Sequence, residues 1–193
     1  MSSEKTKFGD SCTASASFGG GAAENVGLEG VYVATCYDVN GNEKWSDTIE
    51  NLTTNVGRQN MVQNYFVTNA GAGANVMGLK GAGTAAYGDT QASHAGWLEV
   101  GGANAPTYSG TRKTPTYTTT TTANPAVLVT SAAVVFTMTG AGTVAGAFIN
   151  VNGSSSIDNT TGILFSVGDF TAGSKTVTSG DTINVTYQLS AAG

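Results

Sequence analysis

The sequence predicts a mainly all-β protein, a jelly-roll-like β-sandwich with one short helix and a flexible N-terminal arm. Three observations lead to this fold class. Several segments alternate apolar and polar residues with the period of two that a half-buried strand requires. Turn signals separate them at intervals of roughly 8–12 residues, which is typical of sandwiches and barrels. The chain is also rich in Gly, Ala and Thr, and only 11% of its 193 residues are charged.

The most distinctive segment, residues 28–66, predicts a hairpin followed by a helix. Residues 31–36 (VYVATC) alternate between two faces of a strand. Asn40-Gly41 is expected to form a type I′ turn, in which both residues have positive φ. Thr54 or Asn55 is expected to cap a helix that ends near Phe66, because apolar residues recur there at a spacing near 3.6.

The rest of the chain is expected to consist of strands joined by Gly-rich loops. The expected strands are 76–79, 97–100, 126–138, 143–149, 163–166, 175–178 and 182–189. The last two are expected to form a hairpin around Ser179-Gly180-Asp181, which has turn chemistry. The run Thr118–Thr122 is compatible with either an edge strand or a linker.

The chain divides into an arm, residues 1–27, and a β-sandwich domain, residues 28–193. Ser, Ala and Gly dominate the arm, which is expected to bury too little apolar area to offset the cost of ordering it. Two interpretations stay open. The arm is either a disordered tail or a segment that orders against a neighbouring subunit, with Phe8 and Phe18 as its anchors.

The charge balance argues against nucleic acid as a ligand. The chain has 8 basic and 13 acidic residues, and phosphate binding needs clustered Lys and Arg. No stretch approaches 18 consecutive apolar residues, so no membrane span is expected. The N-terminus lacks the apolar region of a signal peptide, which favours folding in the cytoplasm. Cys12 and Cys36 do not have a zinc-ligand spacing; Cys36 is expected to be a small buried apolar residue.

Histidine-dependent catalysis would have to use His94, the only histidine. A triad of Asp89, His94 and a serine can be imagined, but no GxSxG motif supports it. A metal site from His94, Asp89 and Glu99 is weakly indicated, since one imidazole seldom suffices for a transition metal. We therefore expect no enzymatic activity, no cofactor and no metal. A hydrolase would require His94.

Two other patterns suggest binding chemistry. Residues 81–86 and 140–145 fit a dinucleotide-binding fingerprint, but that fingerprint must open a helix. Because a β-branched segment follows Gly142, we interpret both as turns. Aromatic residues at strand positions are more often core or interface than a sugar-binding platform. The candidates for such a platform are Trp45, Trp97, Tyr108 and Tyr117.

Five segments resemble a family of small tailed-phage virion proteins, which includes head decoration (cement) proteins and fibre-like structural proteins. They are GVYVATCYDVNGNEKWSDTIENL, GDTQASHAGWLEV, TVAGAFI, GILFSVGDF and KTVTSGDTINVTYQLS. The resemblance spans most of residues 28–189 and rests on structural motifs. The chain differs from the family pattern in its long arm and its threonine run. No catalytic residues carry over.

The resemblance implies a non-enzymatic capsid decoration protein that binds the major capsid protein and stabilises the shell. Such a protein would be a homo-oligomer, a dimer or trimer, on the capsid exterior, assembled in the bacterial cytoplasm. The expected capsid or subunit contacts are Phe8, Phe18, His94 and Trp97, with the loop 88–96. The alternative is a tail-fibre or receptor-binding module that recognises host surface glycans through exposed aromatic residues.

Overall fold

The computed structural model describes residues 27–63, 75–120 and 126–192. The predicted arm, with Phe8 and Phe18, lies outside these residues except for Gly27. The elements are β1 Gly27–Tyr37, β2 Glu43–Glu50, β3 Leu52–Thr53, α1 Asn55–Gln63, β4 Asn75–Gly83, β5 Trp97–Val100, β6 Tyr117–Thr120, β7 Ala126–Thr130, β8 Val134–Thr137, β9 Gly142–Val144, β10 Gly146–Val151, β11 Ile163–Asp169, β12 Lys175–Val177 and β13 Thr182–Ala192.

The strands form two large antiparallel sheets. Sheet A has the order β2-β1-β13-β7-β6, and β8 also pairs with β13. Sheet B has the order β3-β11-β10-β4-β5, while β9 and β12 pair with each other. The predicted mainly all-β sandwich with one short helix is confirmed. The threonine run begins in β6, at an edge of sheet A, as the edge-strand alternative predicted.

The core lies between the two sheets and consists of inward-facing side chains of both. Tyr32 of sheet A packs on Tyr187 with ring centroids 4.6 Å apart, and its hydroxyl shares a hydrogen bond with Ser166 of sheet B. The alternation in β1 places Tyr32, Ala34 and Cys36 in this core. Cys36 is therefore a buried free thiol, as its position in the sequence predicted.

The first hairpin forms, but the predicted type I′ turn is wrong. Gly41 has φ of 85°, whereas Asn40 is not among the non-glycine residues with positive φ. The Asp38 carboxylate accepts hydrogen bonds from the N–H groups of Asn40 and Asn42, at 2.9 and 2.8 Å. These bonds favour a turn that needs only one left-handed position, which Gly41 occupies.

Two predicted strands are each divided in the structure. The segment 126–138 forms β7 and β8, which pair with different halves of β13. At the last residue of β7, the Thr130 hydroxyl accepts a hydrogen bond from the Tyr187 N–H at 3.0 Å. The segment 143–149 divides at Ala145 into β9 and β10, because the Ala145 backbone bonds to Lys80 and Phe170 rather than to the partner of β9.

The predicted hairpin between residues 175–178 and 182–189 is also wrong. β12 pairs with β9, and β13 pairs with β1, β7 and β8. The turn between β12 and β13 is present: the Asp181 carboxylate accepts from the Thr178 N–H at 2.7 Å and from Lys44. This capping directs the chain out of the small sheet and into sheet A.

Helix α1 begins where the sequence predicted. The Thr54 hydroxyl accepts a hydrogen bond from the Gly57 N–H at 3.1 Å, which is N-cap geometry. A Cβ on Gly57 would lie 2.4 Å from the Phe165 carbonyl oxygen, so glycine lets the helix contact β11 closely. The predicted end near Phe66 lies outside the described residues.

Candidate interaction surface

The only histidine lies beside β5, an edge strand of sheet B. His94 is half-buried and stacks on Trp97, with ring centroids 3.9 Å apart and planes inclined by 19°. Its Nδ1 lies 3.1 Å from the Trp97 carbonyl oxygen. Because a carbonyl can only accept, Nδ1 carries the hydrogen and donates it. This bond holds the ring against the first residue of β5.

Asp89 contacts Trp97 rather than His94. Its Oδ2 accepts hydrogen bonds from the Trp97 indole N–H at 2.9 Å and from the Ala86 N–H at 2.8 Å. The Nδ1 position that a triad aspartate would occupy is taken by the Trp97 carbonyl. The Asp89–His94–Ser arrangement considered from the sequence is therefore not assembled.

The side chains of His94 and Asn104 bond to two backbone carbonyls at the free edge of β5. The Trp97 carbonyl accepts from His94, and the Glu99 carbonyl accepts from the Asn104 amide at 3.0 Å. An edge strand whose carbonyls are already bonded is a poor template for an added strand. A partner is therefore not expected to extend sheet B at these positions.

A buried ion pair between Glu99 of β5 and Arg112 connects this strand to two loops, the one that contains Arg112 and the loop 152–162. Arg112 donates to the Glu99 carboxylate from Nε at 2.8 Å and from Nη2 at 2.6 Å. The two side chains are 0% and 3% exposed. Arg112 also donates to the carbonyls of Ser154, at 3.1 Å, and Asn159, at 2.8 Å. Glu99 further accepts from the Asp158 N–H at 3.0 Å. Together, these hydrogen bonds hold the loop 152–162 against β5.

The outer face of sheet A has a central part with few charges. Strand pairing places its outward side chains in rows across the sheet, and we call three of the central rows the valine face. The rows are Glu50–Val31–Gln188–Val129–Thr118, Thr48–Val33–Thr186, and Ser46–Thr35–Asn184–Val135. Glu50 is the only charged residue in these three rows, and strand pairing places Glu29 and Glu43 in the rows on either side of them. Solvent-facing surfaces normally carry charges of both signs.

Two exposed valines occupy the middle of this face, and a third lies at its edge. Val31 and Val33 lie on β1, between β2 and β13, and are 39% and 40% exposed. Val135 on β8 is 46% exposed. Single exposed apolar residues are ordinary, but apolar residues grouped on an uncharged surface are typical of interaction sites.

The residues predicted as contacts fall in different places. Trp97 is 2% exposed, and its ring packs on Phe148 with ring centroids 5.5 Å apart. His94 stacks on the Trp97 ring beside β5. The proposed aromatic platform does not form as a set, because Trp97 and Tyr108 are both buried. Phe8 and Phe18 lie outside the described residues. The contact roles of all four stay predictions.

Sequence reasoning missed the Glu99–Arg112 pair and the valine face. No periodic signal links Glu99 to Arg112, and only the loop fold brings them together. For the valine face, the alternation of Val31 and Val33 was visible in the sequence. The residues beside them on β2 and β13 depend on strand register, which the sequence did not predict.

Neither a metal centre nor a membrane helix is found within the part of the chain that the structure describes. No group of three or more His, Cys, Asp or Glu residues there is arranged to hold a metal ion. None of the described helices has the length and apolar character needed to cross a bilayer.

Comparison with protein-family models found no match, and comparisons with curated proteins and with solved structures found none either. The resemblance to phage virion proteins therefore stays a prediction from the sequence.

Proposed function

We propose that this protein is a non-enzymatic phage structural protein, a capsid decoration protein that binds the shell formed by the major capsid protein. The observation that carries the proposal is the valine face. A surface with exposed Val31, Val33 and Val135 and the single charge of Glu50 loses little solvation energy when a partner covers it.

The energetics of the valine face favour a multivalent attachment. Full burial of a valine contributes roughly 1.5–3 kcal/mol, so covering the exposed part of each of these three contributes about 1 kcal/mol. A total near 3 kcal/mol gives only weak binding by one copy. We therefore propose a homo-oligomer, dimer or trimer, whose copies bind neighbouring capsomers together and gain from effective concentration.

The proposed location rests on the resemblance to phage virion proteins and on the net charge of the chain. A decoration protein would lie on the capsid exterior, after assembly in the host cytoplasm. The net charge of −5 disfavours contact with the packaged nucleic acid, which is consistent with an exterior position.

The alternative, a tail-fibre or receptor-binding module, was based on exposed aromatic residues. Burial of Trp97 and Tyr108 removes two of the four candidates for a sugar-stacking platform. We therefore favour the decoration protein. A fibre module would be a trimer that binds host envelope material and does not bind capsids.

The test is co-sedimentation of the purified full-length protein with expanded, undecorated phage shells. We expect saturable binding, with a stoichiometry that matches the capsomer lattice. Light scattering of the free protein measures its oligomeric state. Absence of binding to shells in any maturation state would overturn the proposed function.

A further inference from the structure

One edge of sheet A is open to a further strand. β6 is the last strand of this sheet and pairs only with β7, in a register without a shift. The Ser131 N–H donates to the Thr116 carbonyl at 2.8 Å, so the backbone groups of Thr116 face β7. Because strands alternate, those of Thr118 also face β7, whereas those of Tyr117 and Thr119 point away from it. Within the described part of the chain, no backbone group bonds to Tyr117 at this edge.

The opposite edge of sheet A is already covered. The Thr48 carbonyl of β2 accepts from the Thr171 N–H at 2.9 Å, and Ile49 forms a bridge with Phe170. In sheet B, two side chains bond to the carbonyls at the edge of β5, and β3 has only two residues. Among the edges of the two large sheets that the structure describes, β6 is therefore the one best able to pair with another strand.

The sequence around β6 lacks the charges that usually protect an edge strand. Residues 114–125 carry no charge, and the pairing of β6 with β7 contains no bulge. Natural edge strands are protected by Lys, by inward charges or by bulges, and Thr and Tyr favour strand pairing. Pro115 and Pro125 bound the uncharged segment. Because proline has no N–H, added pairing is limited to the few residues between them.

A second copy of the chain matches this edge. Antiparallel pairing of β6 with itself places a two-fold axis at Thr118, so that Tyr117 of each copy lies opposite Thr119 of the other. Each of these two pairs then exchanges two backbone hydrogen bonds, which uses the outward groups of both residues. The absence of charge from residues 114–125 also keeps like charges away from the contact, although each chain has a net charge of −5.

The same geometry aligns the valine faces of the two copies. When a two-fold axis relates two neighbouring antiparallel strands, it is perpendicular to the sheet, so both copies present the same face on the same side. Thr118 is exposed and belongs to the valine face. Pairing at β6 therefore joins two valine faces into one surface. A joined surface provides the multivalent attachment that binding to a shell requires.

We propose that the protein forms a two-fold dimer through its β6 strands, which joins the A sheets of two copies into one sheet. The role of the joined surface in shell binding rests on the proposed function. A trimeric ring would need a second open edge on each copy, but the described edges of β2 and β5 are covered. The dimer uses the β6 edge of both copies, so assembly ends at two.

Sedimentation velocity of the full-length protein at roughly 5–500 µM measures this dimer. Pairing of two short edges buries less surface than a standard interface, so we expect a dissociation constant of about 10–100 µM. Thr119→Pro removes an outward N–H without removing a bond to β7, and should weaken dimerisation at least tenfold. Thr119→Val is the matched control, because it keeps the N–H and the β-branched shape, and it should dimerise like wild type.

Disulfide crosslinking locates the interface without a proline substitution. Directly opposite residues of a non-hydrogen-bonded pair have Cα atoms about 4.5 Å apart, a separation that a disulfide can bridge. In a Cys12→Ala background, Thr118→Cys should give a covalent dimer on mild oxidation. Thr48→Cys makes the same change at an exposed threonine of β2, at the opposite edge of the sheet, and should stay monomeric under the same conditions.

Three results would each overturn the dimer. They are a protein that stays monomeric at about 500 µM or forms a trimer, a Thr119→Pro variant that dimerises like Thr119→Val, and a Thr118→Cys variant that crosslinks no faster than Thr48→Cys. All these measurements use the free protein. Shell binding without dimerisation would therefore contradict this inference alone, and dimerisation without shell binding would contradict the proposed function alone.

Discussion

Replacing Arg112 with methionine should destabilise the protein severely. The substitution removes both bonds to the Glu99 carboxylate and the two bonds to the carbonyls of Ser154 and Asn159. Glu99 is left 3% exposed with its charge unpaired. Removing one partner of a buried ion pair costs about 3–5 kcal/mol, and the lost carbonyl bonds act in the same direction. We expect a loss of about 4 kcal/mol, a large part of a typical domain's stability.

Urea unfolding followed by tryptophan fluorescence measures this loss, since Trp97 lies in the strand next to Glu99. With a slope near 2 kcal/mol/M, the midpoint should fall by about 2 M. The matched control is Lys113→Met, which removes the adjacent cation. Lys113 is partly exposed and donates to the Ser109 carbonyl, so its loss should cost less than about 1 kcal/mol.

A second variant separates the unpaired charge from the lost packing. Glu99→Met combined with Arg112→Met removes both charges and should be about 2 kcal/mol more stable than Arg112→Met alone, because no buried charge then lacks a partner. The reasoning is refuted if Arg112→Met unfolds like Lys113→Met, or if the double variant is no more stable than the single one.

Three further predictions concern stability and thiol chemistry. Gly146→Ala should cost about 3 kcal/mol in urea unfolding, because its Cβ would lie 1.9 Å from the Gly168 carbonyl oxygen, whereas Gly88→Ala, in open space, should change stability little. The pKa of Asp47 is lowered, since hydrogen bonds from Lys175 and its other donors outweigh the opposing effect of burial. Its stabilisation should be complete above about pH 4 and decline as the pH falls further, and Asp47→Asn should flatten that decline. Burial raises the pKa of the Cys36 thiol to about 11, so in a Cys12→Ala variant, which leaves Cys36 as the single thiol, a thiol reagent should react only on unfolding; rapid modification of that native variant would contradict this placement.

The sequence predicted well those elements whose own pattern determines them. Alternation identified β1 and the inward residues of β13, and β5 was predicted at its observed bounds. Thr54 identified the start of α1 because N-cap chemistry is local. The alternating Val31 and Val33 were visible, although not the face they share.

The errors concern contacts between residues distant in the chain. β12 was assigned to a hairpin with β13 because only a turn separates them, but its partner is β9. The division of 126–138 occurs where the Thr130 hydroxyl bonds to the Tyr187 N–H of a strand distant in the chain. The Asn40-Gly41 prediction neglected Asp38, whose carboxylate favours a different turn. The ion pair between Glu99 and Arg112 had no local signal, because loop geometry alone brings the two together.

The measurement that tests the proposed function most directly is quantitative shell binding by two lysine variants. Val33→Lys places a charge at the centre of the valine face, and Val39→Lys places one on a 76% exposed valine in the hairpin loop outside it. Both positions are open to solvent, so both variants should keep wild-type unfolding midpoints. We predict that Val33→Lys weakens co-sedimentation with undecorated shells at least tenfold, about 1.4 kcal/mol, while Val39→Lys binds like wild type. Equal shell binding by the two variants would contradict docking through this face.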